Sequence, residues 1–131
     1  MPYKIERIHE PDALLVTLTD PFEPRKHALA FFDALNHHLD NESKSIVTIL
    51  DVRGLTISVQ KLLAGMNAVM DNEDSPPNHP MSSYYIFVSE SKVMQSAKKI
   101  FFRFNVLDDV QVVATVDEAK MRIAAQASEA S

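Results

Sequence analysis

The residues best able to do chemistry lie in one short segment, Asp51-Val52-Arg53-Gly54-Leu55-Thr56-Ile57-Ser58. It leaves an apolar, β-branched run, holds one of only two glycines in the chain, and delivers hydroxyls to the start of an amphipathic stretch. A carboxylate and a guanidinium two residues apart can pair with each other or hold a polar ligand. A serine at a helix start sits where free N–H groups and the positive dipole end favour an anion or a phosphorylated side chain. Serine there is equally an ordinary N-cap. Asp20, Ser89, Ser91 and Thr115 stand at comparable strand ends. The candidate regulatory or partner-binding set is therefore Asp20, Asp51, Arg53, Gly54, Thr56, Ser58, Ser89 and Ser91.

Other reactive side chains form no constellation. His37 and His38 are adjacent and point to different sides of a helix, unlike a metal-binding i, i+4 pair. His27 and His79 stand apart from them, so all four read as exposed or rim residues. Asp71, Glu73 and Asp74 lack the glycine and terminal glutamate of an EF-hand and read as a solvated acidic loop. No metal and no cofactor is expected. Lys92, Lys98, Lys99 and Arg103 mark a basic side on one helix, with Phe102 beside it. That side is either solvated or a contact for an acidic partner or an anionic headgroup. Nucleotide loops, the Gly-x-Ser-x-Gly elbow and His-Glu-x-x-His are all missing, so an enzyme is not expected and no catalytic residue is assigned.

Composition narrows the classes further. The chain has 131 residues, 46% of them hydrophobic, which suits one domain. It has no cysteine, which excludes disulfides, thiolate zinc sites and iron–sulfur clusters. A formal net charge of −5 argues against nucleic acid as a partner. The N-terminus shows no signal-peptide pattern and no apolar run approaches a membrane span, so a cytoplasmic protein is expected.

The elements that must position these groups follow from hydrophobic period. Residues 3–8 and 13–19 read as a hairpin, with Leu14, Val16 and Leu18 on one face and Leu15, Thr17 and Thr19 on the other. Pro24 opens a helix with Ala28, Phe31, Phe32, Leu35 and Leu39 as its stripe. Residues 45–50 read as a central strand covered on both faces. A second helix follows Ser58, its stripe being Val59, Leu62, Leu63, Met66, Val69 and Met70. Residues 71–83, with three prolines, read as an exposed loop without strong structure. Strand 84–88, a helix with Val93, Ala97, Ile100, Phe101 and Phe104, and strand 110–114 come next. Thr115 and Glu118 form a capping box for a last helix ending near Gln126. Met66, Met70, Met94 and Met121 are assigned mostly to core stripes. The order β-β-α-β-α-β-α-β-α predicts an α/β fold: a mostly parallel sheet with one antiparallel edge and covering helices. One domain spans 1–126, and 127–131 is expected to fray.

That order, and the segment Ile46–Ser58, resemble the STAS domains, the SpoIIAA-like anti-sigma-factor antagonist family. Leu50, Asp51, Gly54 and Leu55 match the strand end Leu-Asp-x-x-Gly-Val, and Ser58 stands nearest the family's switch serine. The Asp-Ser-Ser-Gly signature is absent, as in divergent SpoIIAA-like relatives that share topology with small lipid-binding modules. The resemblance implies a non-enzymatic interaction module that binds a protein partner through loop 51–58 and the next helix. The alternative is a small-ligand or lipid-binding domain. Its pocket would lie between the sheet and Phe22, Phe31, Phe32, Phe87, Phe101 and Phe102. The edge strand 3–8 needs cover, which a homodimer would supply.

Overall fold

The computed structural model describes residues 2–103 and 110–130, without the side chains of 98, 101–103 and 128–130. The elements run β1 Tyr3–Ile8, β2 Ala13–Thr19, α1 Pro24–Asp40, β3 Ile46–Gly54, α2 Val59–Asp71, a 3-10 turn Pro76–Asn78, β4 Ser82–Val88, α3 Lys92–Arg103, β5 Val110–Val113 and α4 Val116–Ala130. Strand order in the sheet equals chain order. β1 is antiparallel to β2, and the remaining pairs are parallel.

A sheet whose order equals chain order, with right-handed crossovers, must place successive helices on one face. Strand alternation then sorts the core into two layers. Leu14, Val16 and Leu18 of β2, with Leu50 and Val52 of β3, meet Phe31, Leu35 and Leu39 of α1, Met66 of α2, and Met94 and Ala97 of α3. Val47 and Ile49, with Ile86 and Val88, meet Ala119 and Ile123 of α4 on the other face. α4 packs mainly on β3, β4 and β5, and on that side Ile8 of β1 and Ala13 and Leu15 of β2 join the edge of its core.

Several expectations need correction. α2 buries only Met66, while Val59, Leu63 and Met70 are 52%, 40% and 48% exposed. The helix lies along α1 more than on the sheet, so its wide apolar stripe has only one inner edge in contact. Met121 is also exposed, because α4 meets the sheet through Ala119 and Ile123 instead. Segment 71–83 is ordered. Asn36 Nδ2 donates to Asp74 O at 2.6 Å, Ser75 Oγ donates to Val69 O, and Ser75 and Pro76 are buried. His79 is no free rim residue. Its Nδ1 accepts from Met81 N, which leaves the Nε2 proton to donate to Asp40 at 2.7 Å. α4 continues past Gln126 to Ala130, since no glycine or proline stops it.

Gly54 owes its place to a close approach, not to backbone conformation, for no glycine here has positive φ. A Cβ there would sit 2.9 Å from Thr19 Cγ2 and 3.4 Å from Leu18 O. Gly54→Ala is expected to cost about 1–2 kcal/mol by overpacking. Thr19→Ser removes the obstructing methyl, so the double variant should recover most of that loss. Urea denaturation of the four proteins of the cycle checks this, and strictly additive losses would contradict it.

Candidate functional site

The C-terminal ends of the parallel strands, where α/β sheets gather ligands, carry the expected residues in three separate hydrogen-bonded groups. The first ties β2 to the start of α2. Asp20 accepts from Thr56 N at 3.1 Å and from Thr56 Oγ1 at 2.8 Å, with Lys61 Nζ 3.5 Å away. These bonds, the Thr56 hydroxyl first, hold the Asp20 carboxyl below its ordinary range. Ser58 Oγ accepts from Lys61 N and is the N-cap of α2. Ser58 and Lys61 also border an open polar cleft toward Glu23 and Arg25.

A second group lies on the α4 side of the sheet, because Asp51 and Arg53 alternate with the inward Leu50 and Val52. Arg53 Nε and an Arg53 terminal nitrogen donate to the two Asp51 oxygens at 2.9 and 2.8 Å, and Arg53 N adds a third bond. Asp51 is 9% exposed, and Arg53 lowers its carboxyl pKa against the opposing effect of burial. A folded-state carboxyl pKa below the unfolded value stabilises above the unfolded value and is lost as pH falls through the folded one. Asp51→Asn should therefore cost about 1 kcal/mol at neutral pH, a modest sum because Arg53 is half exposed. The difference from the parent should shrink below about pH 4. Denaturation at neutral and acid pH measures it, and a pH-independent difference would refute the ion-pair account.

The third group is the start of α3. Ser89 is buried, its Oγ accepts from Ser91 N, and Ser91 Oγ accepts from Val93 N. Asp20 N also donates to Gly54 O at 3.1 Å, but among the described residues no side-chain hydrogen bond joins one group to another, so the candidate set is three local braces around one sheet edge. Among the described residues, no cluster of His, Asp and Glu could hold a metal ion, and no helix is long and apolar enough to cross a membrane.

A space lies where the alternative reading of the sequence put a pocket, between the sheet and the aromatic faces of the helices. A cavity of about 160 Å3 lies between the sheet and α1 and α2. Leu18, Leu50, Val52, Tyr85 and Phe87 line it from the strands, and Ala28, Phe31, Phe32 and Leu35 from α1. Residues 51–54, expected in a loop, continue β3. Leu55, Ile57, Leu62, Gly65, Met66 and Val69 line the space from loop 55–58 and α2, with Phe22, Pro24, Pro76, Pro77 and Met94 also in the wall. Phe22, Phe31, Phe32 and Phe87 are thus placed as expected, while the side chains of Phe101 and Phe102 lie outside the described residues. Among the described residues Lys61 is the one charged group in the lining, and it pairs with Asp20. The Tyr85 hydroxyl bonds Ser82 Oγ at 3.0 Å, and burial pushes its pKa up to about 12, so that wall stays neutral. The resulting lining is apolar.

No protein-family model matches the chain, and no curated protein matches it as a relative. Among solved structures, it is similar to the crystal structure of an uncharacterized protein of the DUF3478 family, with a SpoIIAA-like fold, from Shewanella loihica PV-4. The TM-score is 0.53 at 11% identity, over 89% of this chain and 88% of that one. The antiparallel edge, the parallel strands β2–β5 and the crossover helices on one face agree with that likeness. This chain, a five-stranded mixed sheet with four helices, has a STAS/SpoIIAA-like fold.

Proposed function

We propose that this chain is a binding protein, not an enzyme, and that it takes a small apolar molecule into the cavity between the sheet and α1 and α2. The cavity carries the proposal. Its volume of about 160 Å3 is close to that of an engineered apolar cavity, about 150 Å3, that stays dry and accepts benzene. A wall that selection could fill with a few methylenes, and has not, favours a retained binding space. The present volume suits a single ring or a short branched chain. A longer acyl chain would need α2 to shift, and α2 is the least buried wall.

Native mass spectrometry of the purified chain, followed by solvent extraction, tests the proposal directly. An apolar adduct, or a rise in Tm with benzene- or indole-sized probes, is the expected result. An empty protein whose Tm no apolar probe moves would sink it. A protein partner on loop 51–58 and α2 is the second proposal, favoured by exposed Val59, Leu63 and Met70. Ser58→Asp would then alter capture of that partner from native lysate, and equal capture by both forms would remove Ser58 from its control.

A further inference from the structure

β1 is an edge strand, and its charges select one way of pairing with itself. Thr19 N donates to Pro2 O at 2.9 Å, which makes residues 2 and 19 a hydrogen-bonded pair. Antiparallel ladders alternate, so Lys4, Glu6 and Ile8 direct their backbone groups at β2. Tyr3, Ile5 and Arg7 turn theirs to the free edge. Their side chains face α1, whereas Lys4 and Glu6 lie on the opposite face, where Lys4 is exposed. Lys4 Nζ already sits 2.6 Å from Glu6 on its own strand, and both are exposed.

We propose that two copies of this chain join through antiparallel β1 strands, with Ile5 opposite Ile5 on the two-fold axis. Side chains opposite each other must share a face, and the outward backbone groups must pair. These two conditions restrict the registers to steps of two residues. Centring on Ile5 sets Lys4 against Glu6 of the second copy, and Glu6 against its Lys4. Both are non-hydrogen-bonded pairs, where side chains come closest. With the pair already present along each strand, the four charges alternate around a square. Shifting the centre to Lys4 brings two lysines face to face, and shifting it to Glu6 brings two glutamates together. Like charges directly opposite are destabilising, so of these three registers the one centred on Ile5 is favoured. Tyr3 then faces Arg7 of the second copy, and Arg7 keeps its Glu42 and Asp12 partners. The contact is isologous, as a two-fold requires, and it fuses two five-stranded sheets into one.

An interface of one short strand is smaller than the standard size, so association is expected between about 10 µM and about 1 mM. Sedimentation equilibrium of the full chain over that range should show the mass rising from 14.7 kDa toward twice that value, less so at high salt. Lys4→Glu and Glu6→Lys should each weaken self-association by about tenfold or more, since both cross-strand pairs become repulsive. Mixed together, the two variants should form a heterodimer, because every opposed pair is then complementary. Circular dichroism confirms that each variant is folded. A parent that stays monomeric at the highest concentration would overturn the proposal, and would leave Lys4 as a guard against edge pairing. A dimer indifferent to Lys4→Glu, or variants that fail to associate when mixed, would overturn it equally.

Discussion

Leu35→Ala is expected to destabilise the protein by about 3–5 kcal/mol, the range for a leucine removed from a packed core. Leu35 is 1% exposed and belongs both to the α1–sheet core and to the cavity wall. Its removal therefore joins new space to a void that already exists, and the surroundings have little left with which to collapse. In a domain of this size the loss should lower Tm by roughly 10–15 °C. The enlarged cavity should accept an apolar probe better than the parent does. A probe present at about 100 times its Kd returns about 2.7 kcal/mol, most of the loss. Thermal denaturation with and without a benzene- or indole-sized probe measures both effects. A loss below about 1 kcal/mol would mean that α1 settles into the space, and that the cavity wall is not held by packing.

Much of this fold can be read from the sequence, because strand alternation and helical period are local. The faces of β2, the stripe of α1, and the Ser58 and Thr115 caps all follow from residues within a turn or two of one another. Residues that depend on distant partners are not legible in that way. Asp20 and Thr56 are joined across 36 positions, and His79 meets Asp40 across 39. The order of segment 71–83 rests on such contacts, so its polar, proline-rich composition suggests an open loop. The cavity is harder still. A stripe of apolar residues states which side of α2 avoids water but not whether that side is filled. Val59, Leu63 and Met70 extend the stripe beyond the buried edge, which conceals how lightly the helix is seated. The aromatic residues named for a pocket give its wall, and Gly65, without a side chain in the middle of an apolar helix, is a further local hint.

Gly65→Leu should act in the opposite direction to Leu35→Ala, because it fills the space that the other variant enlarges. A Cβ added at Gly65 meets only Pro24 Cγ, at 4.0 Å, so the backbone tolerates a side chain there. Leaving glycine inside α2 forgoes about 1 kcal/mol of helix stability. A leucine side chain entering the cavity buries apolar surface worth about 1.5–3 kcal/mol, less the rotamer freedom it gives up. The expected net effect is a stabilisation of about 1–3 kcal/mol, read as a higher denaturation midpoint with an unchanged urea slope. At the same time the probe-induced rise in Tm should vanish, because the leucine occupies the space the probe needs. An empty packing void accepts a benzene-sized probe as readily as a site does. The discriminating readout is therefore the apolar adduct that co-purifies with the parent and is lost in Gly65→Leu, since Gly65 lines the space. Destabilisation by Gly65→Leu, with probe binding intact, would show that the side chain cannot enter and that α2 closes the space in another way.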